Sequence, residues 1–219
     1  MLNIFSNPSV VITYIIILLT AFPVHEFAHA WVADRFGDDT PRVNGRLTLN
    51  PFAHLDPIGT VMMLLVGFGW AKPVPINTYA LQRRSSAAPM LVSLAGPASN
   101  FLMAVIAAIL FRVGLVSSAE INQSTATFLP NLATFLNTFI EINLLLMLFN
   151  LIPLFPLDGE KVIQYFLPPA GVDFFDNIRP YSPIILMVLL FVLPRLGFDV
   201  IGMIIFQPLA SISHFLIGG

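Results

Sequence analysis

His25, Glu26 and His29 stand in the order His-Glu-Phe-Ala-His within PVHEFAHAWV, residues 23–32, directly after the uncharged run SVVITYIIILLTAF. In a helix, positions four apart lie a turn from each other on one face, so both imidazoles can address one point with Glu26 beside it. That geometry suits zinc, which accepts neutral imidazole nitrogen and, in catalytic sites, takes three protein ligands and leaves a fourth position to water. Glu26 is then expected not to ligate. Its work would be to take a proton from the polarised water and deliver one to the leaving amine. Three ionisable groups on an apolar helix need a compensating partner, and a cation is one. The plain alternative is a set of interfacial residues, hydrogen-bonded to one another near a helix end, with His29 six positions before Arg35.

Two histidines leave a third ligand to find. Asp158 lies in NLIPLFPLDGEKV, residues 150–162, where Pro153 and Pro156 cannot continue a helix and the chain should unwind into an extended segment that carries a carboxylate back to the metal. Irregular backbone at membrane depth is tolerated only where protein buries it or a wet cavity borders it, as a catalytic cleft would. Taken alone, Leu-Asp-Gly is equally a turn at a helix exit. Glu141 is the rival, expected to lie too far toward the outer face because it precedes Asp158 by 17 residues of a descending span. His54 is a looser candidate for an auxiliary ligand or a pH-sensitive gate, and His214 reads as a packed or interfacial histidine. The amides Asn100, Asn143 and Asn150, in or near apolar spans, could hydrate a cleft or donate to a developing oxyanion; interhelical hydrogen bonding is the plainer reading, and the preferred one for Asn100 and Asn143. The segment RLTLN, residues 46–50, alternates polar and apolar residues as a short strand would, which would offer an edge for pairing with an unwound peptide.

The elements that must position these residues are apolar. Of 219 residues, 57% are hydrophobic and 10% charged, and the mean hydropathy is +0.85, against about 25% charged residues in ordinary soluble domains. The chain reads as an all-α polytopic membrane protein. Residues 8–33, 88–112 and 131–152 are long enough to cross a hydrocarbon core. Runs at 182–193 and 198–218 read as a short or tilted span followed by a longer one. The 14-residue run 57–70 has the length of a re-entrant or interfacial segment. With the N-terminus outside and 57–70 returning to its own side, Arg35, Arg42, Arg46, Lys72, Arg83, Arg84, Lys161 and Arg179 share one face, and Arg112 and Arg195 the other. Eight of the ten cations are then cytoplasmic, the bias that Lys and Arg show in membrane proteins. The loop 117–130 is external, and the candidate site faces the cytoplasm. A single membrane-embedded domain over 1–219 is expected, with a core at 8–165 and a C-terminal hydrophobic pair at 182–218. Cysteine is absent, which removes disulfides, thiolate ligands and a cysteine nucleophile. No leader reads from the N-terminus, which has no Lys or Arg before the first apolar run. A net charge of -2 without basic clusters gives no sign of nucleic acid as a partner.

HEFAH at 25–29, GPASN at 96–100 and NLIPLFPLDG at 150–159, in this order, make the chain resemble the site-2 protease family of intramembrane zinc metalloproteases, over about residues 8 to 165. The resemblance implies His25, His29 and Asp158 as ligands of one zinc ion and Glu26 as the base. Asn150 matches the family motif. The chain is similar to compact members without a PDZ or other soluble module, to which GRLTLNP (45–51) and WAKPVPIN (70–77) also correspond. The last two hydrophobic runs match no motif. GPASN itself reads as packing, since Gly96, Ala98 and Ser99 allow close helix approach. The reaction expected is hydrolysis of a peptide bond in or near the transmembrane helix of a membrane-protein substrate.

Rival classes lack their signatures. No Gly-x-Ser motif pairs Ser99 with a histidine, and an aspartyl protease would need a second buried carboxylate facing Asp158. Another HExxH membrane peptidase would normally draw its third ligand from a later Glu or His. A non-catalytic protein that binds a metal or a membrane partner would have no need of Glu26.

Overall fold

A computed structural model describes residues 8–59, 72–121, 123 and 130–218. Five helical stretches in it are long and apolar enough to cross a membrane: α1 (Pro8–Arg35), α2 (Ala88–Arg112), α3 (Leu132–Asn150), α4 (Pro169–Leu196) and α5 (Val200–Ile217). The all-α polytopic membrane architecture is therefore observed. The run 57–70 lies largely outside the described residues, as does half of the loop 117–130 that is expected outside.

Each helix is apolar nearly all round, and its two faces differ in size of side chain more than in polarity. Ile15, Ile16 and Leu19 of α1 and Leu102, Ile106 and Ile109 of α2 point outward, while Ala21, Ala30 and Ala33 of α1 and Ala104, Ala107 and Ala108 of α2 are buried. Lipid tails are as apolar as leucine, so helices associate where small side chains let backbones approach and gain dispersion contacts. The alanines of α2 meet Ala133, Leu136, Ile140 and Leu144 of α3, and Leu209, Ile212 and Leu216 of α5 pack on the same cluster. At the far end, Arg112 of α2 donates to the Leu216 and Phe215 carbonyls. These are terminal carbonyls that no later N–H of α5 can satisfy.

Carboxylates stitch the segment that follows α1. Asp34 accepts two bonds from the Arg42 guanidinium, at 2.8 and 2.7 Å. Buried Asp38 accepts from the backbone N–H groups of Thr40 and Asn77, at 3.0 and 2.6 Å. RLTLN departs from the expected strand. Arg46 turns its guanidinium inward to the Ala53 carbonyl, His54 Nε2 bonds the Thr48 carbonyl at 2.8 Å, and Asn50 caps a short helix at Pro51–His54 by accepting from Phe52 N–H. Local side-chain bonds to backbone compete with ladder pairing, and here they prevail: no strand occurs among the described residues.

The fourth span also differs from its expected extent. Helical backbone runs from Pro169 to Leu196, not only over 182–193. Pro180 and Pro183 fall in the first turn of a 3₁₀ and an α segment, where a missing N–H costs nothing, so the helix changes pitch instead of ending. A π-helical stretch follows at Val188–Val192. This span holds the loop after α3. Leu154 and Leu157 bury against Leu186, the Arg179 guanidinium sits 4.7 Å over the Phe155 ring, and Arg179 Nε lies 3.4 Å from the buried carboxylate of Glu160.

Burial pushes Glu160 above the usual carboxylate range against the pull of Arg179. A carboxyl raised in the fold stabilises through its protonated form, and that contribution is lost as pH climbs through the raised value. Arg179→Ala removes the opposing cation. It is expected to cost little at pH 5 and about 1–3 kcal/mol at pH 8, the penalty for an unpaired buried charge. Thermal unfolding in detergent at the two pH values measures the difference.

Candidate metal centre and active site

Val92, Gly96 and Asn100 are four residues apart on α2 and form one stripe against the last three turns of α1. From that face the histidines of α1 are held by their Nδ1 atoms. His29 Nδ1 is 2.6 Å from the Val92 carbonyl oxygen, and His25 Nδ1 is 2.6 Å from Asn100 Oδ1. An oxygen of either kind accepts only, so each neutral imidazole carries its proton on Nδ1 and presents a bare lone pair at Nε2. The two Nε2 atoms face each other at 3.0 Å.

The Pro-rich loop brings in the third group. Beyond Asn150 the chain makes tight turns, with Leu154 N–H donating to the Ile152 carbonyl and Leu157 N–H to that of Leu154, each at 2.8 Å. Gly159 makes this return possible, because a Cβ there would lie 2.3 Å from the Leu151 carbonyl oxygen and 2.5 Å from that of Ile152. Asp158 Oδ2 then stands 3.3 Å from Nε2 of both His25 and His29, and no hydrogen bond satisfies it.

Three acceptor atoms thus converge in a buried place, an arrangement that only a cation or added protons would stabilise. The edges of 3.0, 3.3 and 3.3 Å match a tetrahedral zinc site, where bonds of about 2.0–2.1 Å imply ligand separations of about 3.3 Å. The residues present therefore fit the ion, and one vertex of the tetrahedron is left for water. His25, His29 and Asp158 are the group of side chains found among the described residues that could hold a metal ion.

Glu26, next to His25 and 9% exposed, is buried near this triangle without being part of it. Asn150 donates through Nδ2 to the Leu146 carbonyl at 2.9 Å, one turn back on α3, which leaves its second N–H for another acceptor. Glu141 is exposed and accepts from Asn137 at 2.9 Å. Its direction, more than its depth, sets it apart. Residues two apart on a helix face opposite ways, and Asn143 is the one turned inward. His54 is buried with its Nε2 on the Thr48 carbonyl and is not part of the triangle, and His214 is exposed on α5.

Of the GPASN residues, Gly96 does face α1, but Ala98 points outward and Ser99 bonds its own helix at the Gly96 carbonyl. What residue types alone did not reveal is how close Gly96 comes. A Cβ on it would stand 2.4 Å from His29 Nε2 and 2.6 Å from His25 Nε2. The four-residue spacing of Gly96 and Asn100, equal to that of the histidines, was the available signal.

The chain matches the model of peptidase family M50 over residues 13–193. The candidate zinc metalloprotease YwhC of Bacillus subtilis (strain 168) is 43% identical over 180 residues, covering 82% of this chain and 80% of that protein. The candidate zinc metalloprotease Rip2 of Mycolicibacterium smegmatis is 32% identical over 178 residues, 78% of this chain and 64% of that one. Rip2 of Mycobacterium tuberculosis (strain H37Rv) is 28% identical over 203 residues, 90% and 73% of the two chains. No solved structure matches significantly. With a family match that spans most of its length and a buried His-His-Asp triangle of zinc dimensions, the chain belongs to peptidase family M50, the site-2 protease family, and is a multi-pass membrane zinc metalloprotease.

Proposed function

We propose that the protein is an intramembrane endopeptidase that cuts a peptide bond in or near the transmembrane helix of another membrane protein. In this reading His25, His29 and Asp158 hold one zinc ion, Glu26 is the general base and then the general acid, and the cut is made toward the cytoplasmic face. The observation that carries it is the convergence of three bare acceptor atoms within a bundle of membrane helices. His25 precedes the end of α1 at Arg35 by ten residues, roughly 15 Å at 1.5 Å per residue, which supports a site below the membrane surface.

Bound zinc would polarise both the attacking water and the carbonyl oxygen of the scissile bond. Glu26 takes the proton of that water on a carboxylate oxygen and returns it to the departing amide nitrogen. Val92 and Asn100 keep the two imidazoles turned so that Nε2 addresses the metal. The second N–H of Asn150 is the donor assigned to the oxyanion. Its role depends on substrate unwinding, since a helical peptide has its carbonyls already bonded. The hydrophobic pair at the C-terminus acts with the core as one domain, α4 bracing the Asp158 loop and α5 packing on α2 and α3.

The test is cleavage of a single-span substrate in proteoliposomes, with fragment ends identified by mass spectrometry. Cuts are expected within the apolar span or a few residues from it, and a zinc chelator should abolish them. Cuts confined to a water-exposed loop would refute intramembrane action. Because cysteine is absent, single substitutions Ser85→Cys and Ser118→Cys report sidedness. An impermeant thiol reagent should reach the second, and not the first, from outside.

A further inference from the structure

The hydrogen bond to His25 has a direction that its neighbours impose. Asn143 Nδ2 is 2.9 Å from the Phe139 carbonyl oxygen of its own helix. A carbonyl cannot donate, so the nitrogen of this amide must face it, and Asn143 Oδ1 must face the other way. That oxygen lies 3.0 Å from Asn100 Nδ2, which therefore donates. Asn100 is thereby left with its oxygen toward His25 Nδ1, 2.6 Å away. Both amides are fully buried, at 0% exposure, so neither can turn over and satisfy itself with water.

We propose that Asn100 and Asn143 are positioning residues of the metal site, forming a two-amide relay that holds His25 in the tautomer with a free Nε2. The proposal rests on His25 being a zinc ligand. His29 receives the same instruction directly from the Val92 carbonyl, whereas His25 takes it from a carbonyl on α3 through two side chains. Such partners of metal-bound histidine typically change metal affinity 10–100-fold when removed. If the asparagines were only interhelical glue, an oxygen at position 100 would have no special standing.

The experiment is zinc affinity of the purified full chain in detergent, by competition with a chromophoric chelator. The absorption spectrum of the Co²⁺-loaded protein is recorded alongside, and helicity of each variant is checked by circular dichroism. Asn100→Leu is expected to weaken zinc binding about 10–100-fold and to alter the Co²⁺ bands. Asn100→Asp keeps an acceptor at Nδ1 but loses the donor to Asn143 Oδ1, so it should bind zinc clearly more tightly than Asn100→Leu without matching the parent. Asn143→Leu frees the Asn100 amide to reverse, and should fall between the two. Unchanged affinity in Asn100→Leu, or equal damage in folded Asn100→Asp and Asn100→Leu, would overturn the relay. His29→Ala separates this from failure of the underlying assignment: if it too retains zinc, the metal site itself is misplaced.

Discussion

Protein carrying Glu26→Gln is expected to bind one zinc per chain as the parent does, yet to cleave a single-span substrate about 10²–10⁴-fold more slowly, the usual worth of a positioned acid–base group. Glutamine has nearly the same shape as glutamate, and Glu26 lies outside the triangle of ligand atoms, so the substitution removes a proton acceptor without removing a ligand. Asp158→Ala and His25→Ala should behave differently. Each takes away one of three groups at 3.0–3.3 Å from one another, and both metal and cleavage should be lost. Zinc content by elemental analysis, set beside the cleavage rate, separates the two outcomes. A fully active Glu26→Gln protein would remove Glu26 from the chemistry.

The second large effect is expected from one methyl group. Gly96→Ala places a Cβ 2.4 Å from His29 Nε2 and 2.6 Å from His25 Cε1 and Nε2, nearer than non-bonded heavy atoms can rest. A flexible side chain would swing aside, but these rings cannot do so cheaply. Each is tethered at Nδ1 by a 2.6 Å bond, and turning either one breaks that bond inside the bundle, where no water replaces it. Zinc affinity is expected to drop by 100-fold or more, roughly 3 kcal/mol, and cleavage to reach background. Ala98→Val, on the same helix but pointing outward, should leave both unchanged. Paired measurements of metal content and helicity would show whether position 96 is steric clearance for the site. A zinc-loaded, active Gly96→Ala protein would show that it is not.

The histidine pair and Glu26 were legible because their chemistry and spacing are unusual in an apolar run. The prolines before Asp158 left a returning carboxylate and a plain turn equally open, the family resemblance favoured the first, and the fold brings Asp158 to 3.3 Å from both imidazoles. Apolar run length together with the placement of Lys and Arg marked the five helices long and apolar enough to cross a membrane. Less was visible where the deciding partner is backbone. The alternation in RLTLN suggests a strand, yet Arg46 and His54 prefer nearby carbonyls to a ladder. The fourth span starts earlier than hydropathy implied because Pro180 and Pro183 sit at starting turns, where they do not break a helix. The interhelical bonding expected of Asn100 and Asn143 is present. The contact of Asn100 with His25 could not be read from residue type, because a neutral amide looks the same whichever way it faces. For Glu141 the sequence suggests depth as the obstacle, whereas the structure shows an outward direction.

The ligand triangle draws two corners from α1 and the third from a loop beyond α3, so no stretch of the nascent chain contains a complete centre. Synthesis proceeds from the N-terminus, so the residues of α1 are made well before residue 158. On the proposed assignment, hydrolytic competence would arrive late, once three helices have docked and the loop has folded back. If these three groups hold the metal as proposed, a half-inserted chain has no complete centre and is expected to be inert toward the membrane receiving it.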